Sequence, residues 1–201
     1  MKTKSFAVLV ALSVLLLAAA PAMAAGGGNL QHANVNVNDT AAAQRGARLF
    51  VNYCMSCHSA DYMRYQRLAT DLNLDEEAVM ENLVFSDAKI GERMTIAMRP
   101  ADAEKWLGKV PPDLTLIARS RGVDWLYTYF KTFYQDTSGN WNNEMLPNAS
   151  MPHVFWQLQG IQKPFYATHN GQSTIERLVL DTPGLQSPEE YDGTVRDLVT
   201  F

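Results

Sequence analysis

Both cysteines of the 201-residue sequence lie in one pentapeptide, Cys54-Met55-Ser56-Cys57-His58. Two thiols separated by two residues and followed at once by histidine have the spacing of a c-type haem attachment site. The thiols add across the two vinyl groups of the porphyrin, and the adjacent imidazole becomes the proximal nitrogen ligand of the iron. A structural zinc site would need a second tight group of Cys or His ligands, and none accompanies this pair. A thioredoxin-like redox pair needs a βαβ setting, which does not surround Cys54. The chemistry expected of these residues is one covalent haem c, bonded to Cys54 and Cys57 and ligated by His58.

An electron-transfer haem of this kind takes a second axial ligand, usually methionine. The thioether is soft and neutral, so it favours Fe(II) and raises the potential. Met55 lies inside the attachment loop and cannot reach the opposite face. Met63 and Met80 read as gap-fillers on helices. Met94 and Met98 fall in an irregular segment, and Met145 and Met151 follow a long polar loop, with Met151 stiffened by Pro152. Local context favours Met151 over the other three. His153 and His169 remain alternatives that would give bis-His ligation and a lower potential, and His32 reads as a surface residue.

The elements that must position these groups follow from caps and periodicity. Lys2 and Lys4, the 15-residue run Phe6 to Ala20, and Ala22-Met23-Ala24 make a secretory signal peptide over 1–24. The run is short of the ~20 residues that span a bilayer. One domain is expected over 25–201. Removing Lys2 and Lys4 leaves 15 basic side chains against 21 acidic, a net charge of −6, which excludes nucleic acid as a partner and suits a basic protein. Gly26 to Asn38 reads as an extended arm. Asp39-Thr40 caps a helix over Ala41 to Tyr53 that runs into the haem motif. Gly46 within it calls for close approach of another helix, since glycine there costs about 1 kcal/mol.

Asp75 caps a second helix with acids in its first turn. Pro100 to Trp106 is a short helix, Pro111-Pro112 is extended, and Leu114 to Ser120 is a turn capped by Asp113. Trp125 to Tyr134 reads as a helix rich in aromatics, and Gln135 to Asn148 as a loop. Ser187-Pro188-Glu189-Glu190 is a capping box before a last helix whose apolar face is Tyr191, Val195, Leu198 and Val199. No convincing strand alternation appears, so the fold is read as all-α.

With these residues in view, CMSCH (54–58), PPDLTLIARSRG (111–122) and LPNASMPHVFW (146–156) resemble the cytochrome c1 family, the haem subunits of the quinol–cytochrome c oxidoreductase (bc1) complex, most of all its proteobacterial members. The resemblance covers essentially the whole mature chain. It implies a cytochrome c-like haem domain with long irregular insertions. It transfers the sixth ligand to Met151, a propionate contact to Arg121 and a place beside the haem to Trp125. A carbonyl near Pro111 is implied as acceptor of the His58 Nδ1 proton, which would fix the tautomer.

The implied partners are cytochrome b, a Rieske iron–sulfur protein as electron donor and a basic cytochrome c as acceptor, at the periplasmic face of the bacterial inner membrane. Members carry a C-terminal transmembrane helix, and this sequence stops at Phe201, inside or just after the last helix. A fragment of an anchored protein is expected, with a free periplasmic electron carrier as the alternative. No bond is made or broken at such a subunit, so it is not an enzyme on its own. An open-site haem peroxidase or sensor is the remaining class, and a six-coordinate iron excludes it.

Overall fold

The computed structural model describes residues 30–169 and 171–201. The signal peptide and the first part of the arm lie outside the described residues.

Helix α1 spans Thr40–Leu49, and the Asp39 carboxylate accepts the Ala42 N–H at 2.9 Å. Its last turn widens into a π-helical turn, Phe50–Cys54, which delivers the haem motif. The C-terminal helix α8, Pro188–Thr200, opens with both bonds of the capping box between Ser187 and Glu190 and buries Tyr191, Val195, Leu198 and Val199. The two helices cross at Gly46, where any Cβ would meet the Asp197 carbonyl and the Phe201 side chain. Arg45 clamps the crossing with paired bonds to Asp197 at 2.5 and 2.7 Å. Close approach of another helix is thus what Gly46 serves.

Between these ends lie α2 (Tyr65–Asp71), α3 (Glu76–Leu83), α4 (Pro100–Leu107), α5 (Ile117–Arg121), α6 (Val123–Lys131) and α7 (Trp156–Gln159). The all-α reading is wrong. Among the described residues are three two-stranded antiparallel sheets: β1 (Ala60–Arg64) with β2 (Arg93–Met94), β3 (Phe133–Gln135) with β4 (Trp141–Asn143), and β5 (Gly160–His169) with β6 (Gln172–Pro183). The helix expected over Trp125 to Tyr134 stops at Lys131, and the polar loop after it contains β4. Met63 lies on β1 rather than on a helix. The long β5–β6 ribbon escaped the alternation test for two reasons. Pro164 interrupts β5, and an extra residue, Glu176, opposes no partner, since Phe165 pairs with Arg177 and Tyr166 with Ile175. That bulge shifts the apolar period and makes Ile175 and Leu178 look helically spaced.

The core is aromatic. Phe133 and Phe155 are fully buried with Leu68, Met94, Val79 and Val195. Tyr53 meets Phe155 edge-on at 4.8 Å, and Phe130 lies 5.5 Å from Phe155, so the helix that carries the haem motif is tied to α6 and to the segment after Met151. The described part of the arm is pinned to the same scaffold. Ala33 donates its N–H to Asp124 at 2.8 Å and accepts from Arg196 Nε at 2.9 Å, and Gln31 donates to Thr128 Oγ1 at 2.8 Å. His32 is exposed, as expected, and pairs with Asp124 at 2.8 Å. No helix of the described residues is long and apolar enough to cross a membrane.

Candidate haem site

The attachment motif is a single tight turn. Met55 bonds back to the Phe50 carbonyl at 3.2 Å, and the Cys54 carbonyl accepts from both Cys57 and His58, at 3.0 and 2.9 Å. In a helical turn residues three apart share a face, so Cys54 and Cys57 are presented on one side. Both thiols are free, Cys54 buried and Cys57 half-buried. Burial, and then the neighbouring Cys57, push the Cys54 thiol up to about 12.

His58 Nδ1 lies 2.7 Å from the Pro112 carbonyl. A carbonyl only accepts, so Nδ1 carries the proton and the Nε2 lone pair is left for a metal. The acceptor therefore belongs to the second proline of the pair, next to Pro111. The segment that bears it is laced against the residues after the motif. Leu114 N–H bonds Ser59 O at 2.9 Å, Asp61 N–H bonds Asp113 Oδ2 at 2.7 Å, and Tyr62 N–H bonds Thr115 Oγ1 at 3.2 Å. Burial pushes the Asp113 carboxyl up. Its bonds from Thr115 and from the Asp61 N–H, with the nearby His58, outweigh that and hold it below its ordinary value.

Met151 is half-buried against the core, and Tyr129 Oη donates to its sulfur at 3.5 Å. The loop that leads to Met151 is shaped by two asparagines of β4. Buried Asn143 accepts from the N–H groups of Met145 and Leu146 at 2.8 and 3.2 Å and donates to the Tyr129 carbonyl at 2.7 Å. Asn142 accepts from the Asn148 N–H at 2.8 Å. Arg121, Trp125 and Tyr129 line up at helical spacing across α5 and α6. The guanidinium lies over the Trp125 ring at 5.0 Å, and Trp125 stacks on Tyr129 at 5.1 Å with 11° between planes. Arg121, Trp125 and Met151 are thereby brought into one contact chain, with Tyr129 as its centre. Sequence reasoning missed Tyr129, Asn142 and Asn143. A tyrosine eight residues after Arg121 was the available signal for the first; asparagines in a polar loop gave none.

Of the alternative ligands, Met94 is fully buried on β2, and Met98 and Met145 are half-buried. The side chain of His169 lies outside the described residues. His153 is 1% exposed, stacked on Phe133 at 4.8 Å and edged by Trp141 at 5.3 Å, as a member of the aromatic core. Neither of its ring nitrogens has a hydrogen-bond partner among the described residues.

Burial pushes the His153 pKa down to about 4; the Gln159 amide opposes the shift without meeting the ring at bonding geometry. An unfolded chain protonates this ring near its ordinary 6.5. Stability is therefore full above that pH and is lost as pH falls toward 4, by about 3 kcal/mol in total. Thermal midpoints measured from pH 7 to pH 4 should fall through this window, and His153→Phe should flatten the fall.

The sequence matches the Cytochrome C1 family over residues 31–161. The chain belongs to the cytochrome c1 family. It is 48% identical over 199 residues to cytochrome c1 of Allochromatium vinosum, covering 96% of this chain and 82% of that one. It is also 45% identical over 174 residues to a protein of Nitrosomonas europaea named ammonia monooxygenase gamma subunit, covering 86% of this chain and 71% of that one. The family binds one covalent haem c and serves electron transfer as a membrane-associated subunit of the bc1 complex. The donor set fits that group: two unpaired thiols on one turn, an imidazole with Nε2 free for the iron, and a thioether held by the contact chain of α5 and α6.

Proposed function

We propose that this chain carries single electrons from a Rieske iron–sulfur protein to a basic cytochrome c, beside cytochrome b at the periplasmic face. The observation that carries the reading is the bond from His58 to the Pro112 carbonyl, which readies an imidazole for iron next to two free thiols. Haem c, when bound, supplies a one-electron Fe(III)/Fe(II) couple. Cys54 and Cys57 would tether it, and His58 and Met151 would ligate the iron. Pro111 and Pro112 stiffen the segment that orients the imidazole. Trp125 would lie beside the porphyrin, and Arg121 would neutralise a propionate. Among the described residues Arg121 has no carboxylate partner, which leaves its charge for that role. Arg121→Gln should shift the midpoint potential and loosen haem seating while covalent attachment stays complete. An unchanged potential and thermal midpoint would make Arg121 a surface residue stacked on Trp125 and nothing more.

Surface charge favours a basic acceptor. Asp71 is already paired with Arg67, whereas Asp75, Glu77 and Glu81 stand exposed on and beside α3, and Glu76 meets only the Gln66 amide. An acidic field of this kind steers a basic partner, raising association rates by roughly 10–10³ at low salt. Stopped-flow oxidation by a basic cytochrome c should therefore slow steeply with ionic strength. Neutralising Glu76 and Glu77 together should flatten that dependence and leave the haem spectrum unchanged. If the rate ignores both salt and substitution, α3 is an ordinary solvated face and docking is apolar.

A further inference from the structure

Tyr129 touches the methionine loop at both ends. Its carbonyl accepts from Asn143, whose side-chain oxygen fixes the start of that loop at Met145 and Leu146, and its hydroxyl bonds the Met151 sulfur at the end. The ring cannot tip away. It is 6% exposed, stacked on Trp125 and met edge-on by Phe130 at 5.5 Å and Phe133 at 4.9 Å. A buried hydroxyl needs an acceptor, and among the described residues the sulfur is the one it has.

We propose that Tyr129 is a positioning residue whose hydroxyl engages one lone pair of the Met151 sulfur and so selects the other for the haem iron. The proposal rests on Met151 being the sixth ligand. A thioether sulfur has two lone pairs and is a stereocentre once bound, so a fixed donor on one of them sets the handedness and direction of ligation. The same bond draws electron density from the sulfur, weakens its support of Fe(III) relative to Fe(II), and raises the potential. Trp125, through its stack, holds the donor, and Arg121 caps the stack from the other side.

The test compares Tyr129→Phe, Tyr127→Phe and Met151→Leu in the haem-loaded chain. Tyr127 is as deeply buried but makes no hydrogen bond to the sulfur, so its loss of a hydroxyl is the control. Tyr129→Phe should lower the midpoint potential, weaken the methionine–iron charge-transfer band and ease displacement of the sulfur by added imidazole by roughly tenfold, the size of one lost hydrogen bond. Covalent haem and the far-ultraviolet spectrum should not change, and Tyr127→Phe should behave as the parent. If Met151→Leu abolishes the band while Tyr129→Phe matches the parent in all three measurements, Tyr129 only packs and the proposal falls alone. If the band survives Met151→Leu, the ligand assignment falls and the proposal with it.

Discussion

Met151→Leu should abolish the methionine–iron charge-transfer band, convert the iron to a high-spin or substitute-ligand form and lower the midpoint potential by a few hundred millivolts, within the ~0.8 V range that axial ligands command. The shift follows from removing a soft, neutral donor that favours Fe(II). A second cost is local. The Tyr129 hydroxyl loses its sulfur acceptor in a buried setting, which destabilises by about 1–3 kcal/mol. Visible spectra and a redox titration of the purified variant check both parts. A band that persists would transfer the ligand to another methionine, with Met98 and Met145 next in line.

Gly46→Val should be severely damaging to the scaffold. Even the first carbon of a side chain would overlap the Asp197 carbonyl and the Phe201 Cβ, so α1 and α8 must separate and the Arg45–Asp197 clamp must open. The expected loss is about 3 kcal/mol or more, or a fall of roughly 10 °C in thermal midpoint for a chain of this size. Gly193→Ala is the matched opposite. It lies within α8 with nothing near the added carbon, so it should raise stability by about 0.5–1 kcal/mol. A Gly46→Val chain that melts with the parent would mean that the two helices can part at little cost.

What the sequence made legible was what is encoded locally. The attachment pentapeptide, the Asp39 cap, the Ser187 capping box and the four buried residues of α8 all depend on neighbours within a few positions, and each was placed from spacing alone. The sheets depend on pairing at a distance. Bulges in β1–β2 and β5–β6 break the two-residue period, and β3 and β4 are only three residues each. Asn170-Gly171, between the longer strands in sequence, is the strongest local hairpin signal for that ribbon. The Met151 loop was harder still. Its shape comes from Asn142 and Asn143 side chains bonding backbone that follows them, and from Tyr129 on a different element. Nothing in residue type or spacing announces such cross-element bonds.

The crossing of α1 and α8 sets an order of events in time. Arg45 and Asp197 are 152 residues apart, so the helix that carries the attachment motif finds its partner only after that length of chain has been made. Closing so long a loop is entropically costly and slow compared with forming local turns. In the closed core Cys54 is buried, and that burial drives its thiol up to about 12. The docking of α8 on α1 is therefore a late step, and it joins the helix that leads into the attachment turn to the far end of the chain.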